Sequence, residues 1–336
     1  MLPFISHIDQ LLTGKSGTYK IVRKLHPRIW AATPSAQSTG PVVIKTAPKL
    51  RLENERTVLS HFQNQPYIRQ LVDEIHESES NPPGLVLRRL DDNLLEAADV
   101  KRIKRGEVKL IARNVLKGLK ALHEAGWAHT VAPDIKPDNI LINYGKGLSR
   151  FSTIQLGDCG HACRAIPVGS ADPYQRPKNR HTIGAALYRS PEAILNLPWD
   201  TSTDIWSFGV TVTTLLRGPE HHIFQPSFNI SPSDETYPFH VLIKQIKEFG
   251  GFPSRYSTDP VDAERMSVMN YIQNHMLRIK LAQAWNPVVE EDEESELGMT
   301  GEDREFIGKI LKMDPNERPS AQELLKEQWL GPEVDE

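Results

Sequence analysis

Short runs of apolar and β-branched residues, separated by turn-forming residues, occupy the first quarter of the chain. They predict strands at residues 19–25, 28–32, 42–45 and 84–87. Between the last two, residues 50–62 carry apolar positions at helical spacing and predict one helix. The first part of the chain is therefore expected to be a small sheet with a single helix. Residues 1–18 show no clear pattern and are interpreted as an N-terminal arm.

The pattern changes after residue 91, where apolar residues recur at steps of three and four. Ile111, Val115, Leu119 and Leu122 define one face of a helix predicted at 107–123. A second, more apolar helix is predicted at 203–216, and a Ser-x-x-Glu capping box at 320–323 predicts a last helix that runs to residue 329. The fold class is therefore expected to be α+β, with a strand-rich part at 19–90 and a larger helical part at 91–336.

Composition and charge exclude several classes of protein. The 336 residues carry a formal net charge of −3, which does not indicate a nucleic-acid-binding protein. The two cysteines, Cys159 and Cys163, are too few for a disulfide framework, and a metal site at this pair lacks a matching second pair of ligands. The chain has neither a basic N-terminal leader nor an apolar run of roughly 18 residues. We expect a soluble, monomeric, intracellular protein of the cytoplasm or nucleus.

The strongest chemical signal is the segment DIKPDNILI at residues 134–142. Phosphoryl transfer requires mainly positioning and neutralisation of charge. Asp134 can orient an acceptor hydroxyl, Lys136 can hold the transferred phosphate, and the side-chain oxygen of Asn139 can bind a magnesium ion. The alternative interpretation is a polar turn that precedes a strand.

Three other residues complete this set. Asp158 follows a predicted strand at 152–156 and precedes Cys159 and Gly160, which suits a carboxylate ligand of a hard metal ion, although Asp-x-Gly alone is a common turn. Lys45 ends its predicted strand and can bind phosphate oxygens, and Glu55 on the following helix is its predicted partner. Taken singly, this lysine and glutamate would be ordinary surface charges.

Three further polar residues are predicted to be structural. Glu192 and Arg318 are expected to form a buried ion pair. Asp204 stands at a predicted helix start, where its carboxylate can accept backbone N–H groups and brace the loop that holds Asp134.

Taken in order, the motifs VVIK, NERTVL, DIKPDN, DCG, SPE, DIWSFG and DPNERP resemble those of eukaryotic protein kinases, over residues 19–330. The resemblance implies a bilobal fold that binds ATP and Mg²⁺ between a small strand-rich lobe and a larger helical lobe. It implies that Lys45 and Glu55 form the phosphate-anchoring pair and that Asp134 is the catalytic base, assisted by Lys136. It also implies that Asn139 and Asp158 are the two metal ligands. The lysine two residues after the catalytic aspartate resembles serine/threonine kinases, which implies a serine or threonine acceptor. The SPE segment and the Glu192–Arg318 pair favour protein substrates.

The resemblance also assigns the adenine side of the site and a branch of the family. Leu87 matches the gatekeeper, and Arg88 to Leu90 match the hinge whose backbone contacts adenine. The segments DCGHAC at 158–163 and LYRSPE at 187–192 resemble the serine/arginine-rich-protein kinase branch, its fungal members in particular. That branch implies substrates rich in Arg-Ser repeats.

The chain departs from the family pattern in two places. The expected glycine-rich phosphate loop is replaced by His26, Pro27 and Arg28, which predicts weak ATP binding or slow turnover. Before Asp134, the expected His-Thr-Asp is interrupted by Val131 to Pro133, either a genuine insertion or an error in the gene model. Because the family's arginine is missing beside the catalytic aspartate, no strict dependence on activation-loop phosphorylation is expected.

These departures leave two alternatives to an active protein kinase. A pseudokinase, which would bind nucleotide or act as a scaffold, explains both departures. Against it, all five polar groups that phosphoryl transfer needs are retained. A small-molecule phosphotransferase of kinase-like fold is the other alternative, because a fold alone does not determine the substrate.

Overall fold

A computed structural model describes residues 7–35, 40–76, 84–129, 135–147, 149–165, 185–197, 199–218, 220–226, 230–253, 256, 267, 269–270 and 299–332. The chain divides into two compact units. The first consists of Met1–Asn93 and Asn139–Ala162, and the second of Leu94–Asp138 and Cys163–Glu336. Strands dominate the first unit and helices the second, so the α+β prediction is confirmed.

The first unit is built on an antiparallel sheet of six strands in the order β1-β2-β3-β4-β6-β5. The strands are β1 (Leu11–Thr13), β2 (Thr18–His26), β3 (Ile29–Pro34), β4 (Val42–Lys45), β5 (Leu71–Glu74) and β6 (Leu85–Arg88). One face of the sheet forms an apolar core that includes Leu12, Ile21, Ile44 and Val86, none of them exposed to solvent. The four strands predicted from the β-branched runs are present, with ends shifted by at most two residues.

Strand β1 lies within the stretch that was interpreted as an arm. It pairs with β2, and beyond its end the N–H of His76 donates to the carbonyl of Thr13 at 2.8 Å. A further antiparallel bridge joins Gly14 to Ile75. These bonds bring the two edges of the sheet together, so the sheet curls toward a closed barrel and protects its edge strands.

The connection between β2 and β3 is a tight turn at Pro27 and Arg28, with His26 paired to Ile29. The carbonyl of Arg28 accepts a hydrogen bond of 2.9 Å from the N–H of Thr46, the residue that follows β4. The turn therefore ends beside Lys45, the last residue of β4. The connection at which a glycine-rich loop was expected is thus a two-residue turn.

Helix α1 (Lys49–His61) and a smaller sheet complete the first unit. The small sheet has the order β10-β9-β7 and comprises β7 (Asp92–Asn93), β9 (Ile140–Tyr144) and β10 (Phe151–Leu156). Its hairpin is attached to the chain after α1, since the N–H of Arg69 donates to the carbonyl of Leu156 at 2.9 Å. Helix α1 has thirteen residues.

The second unit contains seven α-helices whose two ends both lie in the described residues, and one short strand pair. The helices are α2 (Leu94–Val100), α3 (Arg105–Glu124), α4 (Pro191–Ile194), α5 (Ser202–Arg217), α6 (Tyr237–Phe249), α7 (Gly301–Ile310) and α8 (Ala321–Leu324); the strands are β8 (Trp127–Ala128) and β11 (Cys163–Arg164). Helix α5 is its centre, because every residue from Thr203 to Leu216 is buried. No helix in the described part of the chain is long and apolar enough to span a bilayer.

Two contacts hold together the elements around α5. A Cβ added to Gly209 would lie 2.6 Å from Cγ2 of Ile310, so glycine is what allows α7 to approach. Arg318, on the segment before α8, forms an ion pair with Glu192 at 2.6 Å, and both side chains are almost completely buried. The predicted buried ion pair is confirmed.

The prediction of one last helix through Trp329 is wrong. The Ser320 capping box is present, with the hydroxyl accepting from the N–H of Glu323, but α8 ends at Leu324. Trp329 lies instead in a separate 3₁₀ turn, where its ring stacks on Phe306 at 4.1 Å and its Nε1 donates to Asp303 at 2.7 Å. These two tertiary contacts require the chain to leave the helix before it reaches the tryptophan.

Candidate active site

Lys45 stands between two carboxylates of the first unit. Its Nζ lies 2.9 Å from Oε1 and 2.7 Å from Oε2 of Glu55, and 2.7 Å from Oδ1 of Asp158. Strand β4 places the lysine, α1 places the glutamate, and the segment after β10 places the aspartate. Residues 113 positions apart in sequence are therefore joined, and the predicted partnership of Lys45 with Glu55 is observed.

The charges of this cluster are fixed by their neighbours. Burial alone would lower the pKa of Lys45, but Glu55 and Asp158 outweigh it and raise that pKa above its ordinary value. Burial would likewise raise the pKa of Asp158, but Lys45 and Arg51 outweigh it and hold that pKa well below its usual range. The lysine is consequently protonated and the aspartate ionised at neutral pH.

Asn139 and Asp158 come from the same end of the β9–β10 hairpin. Ile140 pairs with Leu156, and the N–H of Gly157 donates to the carbonyl of Asn139 at 2.8 Å. Asp158 follows at once, with a left-handed φ of 52° that ends the strand and turns the chain into a 3₁₀ turn. Carboxylate and amide oxygens are the ligands that Mg²⁺ prefers, so this donor set fits a magnesium ion.

Two residues of α1 that no sequence motif indicated hold Asp158 and its loop. Arg51 donates from Nη2 to Oδ2 of Asp158 at 2.8 Å. Asn54 donates from Nδ2 to the carbonyls of Gly160 and Ala162, at 3.1 and 2.7 Å. The spacing along α1 could have indicated Arg51 as a site residue, since it lies four residues before Glu55 and therefore on the same face of the helix.

The three residues predicted at the adenine side lie at the end of β6. Leu87 pairs with Val43 and has no exposed surface, whereas the Arg88 side chain is exposed and Leu90 is buried. Both backbone polar groups of Arg88 already have protein partners. Its N–H donates to the carbonyl of Gln70 at 3.0 Å, and its carbonyl accepts from Nε of Arg69 at 2.9 Å.

The second unit holds the predicted catalytic segment. Lys136 donates to Oδ2 of Asp138 at 2.7 Å, and the carbonyl of Ile135 accepts from the hydroxyl of Thr211 on α5 at 2.7 Å. Asp134 and the interruption at 131–133 lie outside the described residues.

Asp204, in the first turn of α5, supports the chain just before that segment. Its Oδ2 accepts from the N–H of His129 at 2.7 Å and lies 3.0 Å from Nε2 of His123, in the last turn of α3. A carboxylate from one helix thus ties a second helix to the chain that leads to residue 134. The predicted bracing is observed as far as His129.

Comparison with known families decides the assignment. The family described as "Protein kinase domain" matches residues 13–330, nearly the whole chain. This chain belongs to the protein kinase domain family. The bilobal α+β fold expected from the resemblance is thereby confirmed.

Relatives of this kinase domain carry serine/threonine kinase names. A serine/threonine protein kinase of Aspergillus fumigatus is 28% identical over 190 residues, which cover 55% of this chain and 42% of the relative. The serine/threonine-protein kinase pak-2 of Caenorhabditis elegans is 27% identical, over 54% of this chain and 30% of the relative. Serine/threonine-protein kinase 4 homolog A of Dictyostelium discoideum is 26% identical, over 68% and 36%. The chain thus spans less than half the length of each of these relatives.

Proposed function

We propose that this chain is an ATP-dependent serine/threonine kinase that phosphorylates proteins with Mg²⁺ as its cofactor. The observation that carries the proposal is the Lys45 ammonium held between the carboxylates of Glu55 and Asp158. A cation fixed in this way by a buried glutamate is positioned to bind phosphate oxygens. Family membership and the names of the relatives support the same reaction.

Each remaining residue has a proposed part in that reaction. Asp158 and Asn139 would hold the magnesium ion, which would supply positive charge to offset that of the phosphates. Asp134 would orient the acceptor hydroxyl and take its proton, and Lys136 would neutralise the transferred phosphate. The residues that would border the adenine are Leu87, Arg88 and Leu90. The backbone of Arg88 would contribute fewer hydrogen bonds to adenine, because its N–H and carbonyl already have partners.

The substrate is proposed from the resemblance to the serine/arginine-rich-protein kinase branch. We infer a preference for serines in Arg-Ser repeats. The inference rests on the DCGHAC and LYRSPE segments, which resemble those of that branch. Peptides that keep the serines but replace the arginines by glutamine would test the preference. Equal phosphorylation of the two peptides would exclude it and leave the kinase activity itself untouched.

One observation favours a pseudokinase as the second candidate. The two-residue turn at Pro27 and Arg28 leaves no loop of backbone N–H groups to cover the phosphates. If nucleotide binds but its phosphate is not transferred, this second function is the correct one.

The decisive assay is transfer of the γ-phosphate of ATP to an Arg-Ser peptide with Mg²⁺ and with EDTA. We expect transfer that requires Mg²⁺ and is abolished in Asp134→Ala and Asp158→Ala, while a peptide with alanine for serine stays unlabelled. Nucleotide binding without transfer by the unmodified chain, either to this peptide or to serine and threonine peptides without Arg-Ser repeats, would reject the kinase and support the pseudokinase. Transfer that survives in both variants would reject the assigned residues.

A further inference from the structure

Asp158 is neutralised from both sides by cations of its own chain. Lys45 contacts Oδ1 at 2.7 Å, and Arg51 contacts Oδ2 at 2.8 Å. Both carboxylate oxygens are therefore already bonded, although this aspartate is the ionised member of the proposed metal-binding pair.

Packing fixes the position of Arg51. A Cβ added to Gly160 would lie 2.9 Å from both Cγ and Nε of Arg51, so the arginine stem lies directly on the turn that follows Asp158. The Nε itself is buried and has no hydrogen-bond partner among the described residues. Asn54, on the next turn of α1, fastens the same segment through two carbonyls. The packing of its stem on Gly160 and its bond to Asp158 thus hold Arg51 over this carboxylate.

A guanidinium and a divalent cation at one carboxylate oppose each other. They repel, and they draw on the same oxygen lone pairs. Any group that stabilises Asp158 without metal reduces the free energy that metal binding can gain there, and the effect is reciprocal. A fixed positive charge beside Asp158 also attracts nucleotide phosphates when no metal is bound.

We propose that Arg51 competes with the divalent cation for Asp158 and thereby makes nucleotide binding less dependent on magnesium. This inference rests on the proposed function, because it concerns the nucleotide site of the kinase. Arg51 would thus set how strongly nucleotide binding requires magnesium. This matters more in a chain that lacks the glycine-rich loop, because that loop would otherwise help to hold the phosphates.

The experiment measures the dissociation constant of ADP by calorimetry, once with Mg²⁺ and once with EDTA. The quantity of interest is the factor by which Mg²⁺ tightens binding. In Arg51→Met, which keeps the aliphatic stem over Gly160, we expect that factor to increase about 5-fold or more over the unmodified chain. In Arg51→Lys, which keeps a cation, the factor should lie between those of Arg51→Met and the unmodified chain.

Arg56→Met is the matched control. Arg56 lies on the same helix and loses the same charge, but it pairs with Glu74 at 3.5 Å rather than with Asp158. Its magnesium factor should equal that of the unmodified chain. An unchanged or smaller factor in Arg51→Met, or the same increase in Arg56→Met, would overturn the proposal.

A second arm separates this inference from the proposed function. Mn²⁺ alone is titrated and followed by electron paramagnetic resonance, with thermal unfolding to verify that each variant folds. Tighter Mn²⁺ binding in Arg51→Met than in the unmodified chain supports the competition, and equal or weaker binding refutes it. If ADP fails to bind the unmodified chain under any condition, the proposed function fails, and this metal titration still decides the role of Arg51.

Discussion

The ion pair between Glu192 and Arg318 permits a quantitative test of how the helical unit is held together. Two bonds of 2.6 and 2.8 Å join the guanidinium to both carboxylate oxygens, and side-chain exposure is 0% for the arginine and 1% for the glutamate. In Arg318→Met the carboxylate keeps its burial and loses its cation. The loss should be about 3–5 kcal/mol of unfolding free energy, the usual cost of leaving one buried charge uncompensated. Lys309→Met, at a half-exposed ion pair with Glu327, should cost less than about 1 kcal/mol.

The pH dependence of this loss identifies its cause. Burial would raise the pKa of Glu192, but Arg318 outweighs it and lowers that pKa, so its ionisation stabilises the fold above the unfolded value of 4.5. This stabilisation disappears as the pH falls through the lower, folded value. Without Arg318 the effect of burial remains and the pKa is raised. The carboxyl group of the variant then takes up a proton on acidification, and the penalty of the buried charge is relieved.

Urea unfolding followed by tryptophan fluorescence is a suitable assay, since the Arg318 guanidinium lies 5.0 Å from the ring of Trp206. We expect the difference between Arg318→Met and the unmodified chain to shrink between about pH 7.5 and about pH 5. Adding Glu192→Met should restore part of the stability, because a buried apolar pair has no charge to solvate. A difference below about 1 kcal/mol, or one that is independent of pH, would refute the reasoning.

Three other predictions concern packing and catalysis. Gly209→Ala should lower the free energy of unfolding by about 1–3 kcal/mol, because the added methyl group would overlap Ile310. Gly106→Ala is the control, since no atom lies within 4 Å of the added methyl group, and it should not lower stability. Equal thermal unfolding midpoints for the two variants would contradict this prediction. Replacing residues 26–28 by a Gly-x-Gly-x-x-Gly loop should tighten ATP binding about tenfold, since each charge-assisted bond to phosphate contributes about 1.5–3 kcal/mol, and unchanged calorimetric affinity would count against it. Deleting Val131 to Pro133 should raise turnover by up to about 100-fold, because small misplacements are that costly; equal or lower turnover would favour a genuine insertion.

Local pattern was sufficient for the elements whose burial follows directly from their sequence. The run Val42–Lys45 is buried throughout and became a strand with the predicted bounds. Helix α5 carries apolar residues at close intervals between Ile205 and Leu216, and its observed bounds differ from the predicted ones by one residue at each end. The order of the motifs likewise indicated that Lys45 would contact Glu55, because the two residues lie on consecutive elements of the chain.

Features that depend on tertiary contacts could not be predicted in this way. Strand β1 has three residues with a single buried side chain, Leu12, and it exists because β2 offers it a partner. The early end of α8 is decided by the stacking of Trp329 on Phe306. Arg51 and Asp158 are 107 positions apart, and nothing in either segment alone indicates that they meet.

We propose that Asp158 and Asn139 bind one metal ion beside Lys45. Crystals of the chain grown with Mn²⁺ and a non-hydrolysable ATP analogue would locate the manganese by anomalous scattering. We expect a peak about 2.1 Å from a carboxylate oxygen of Asp158 and from the side-chain oxygen of Asn139, with Lys45 contacting the phosphates. A nucleotide bound with no metal at these two residues, or with manganese held elsewhere, would contradict it.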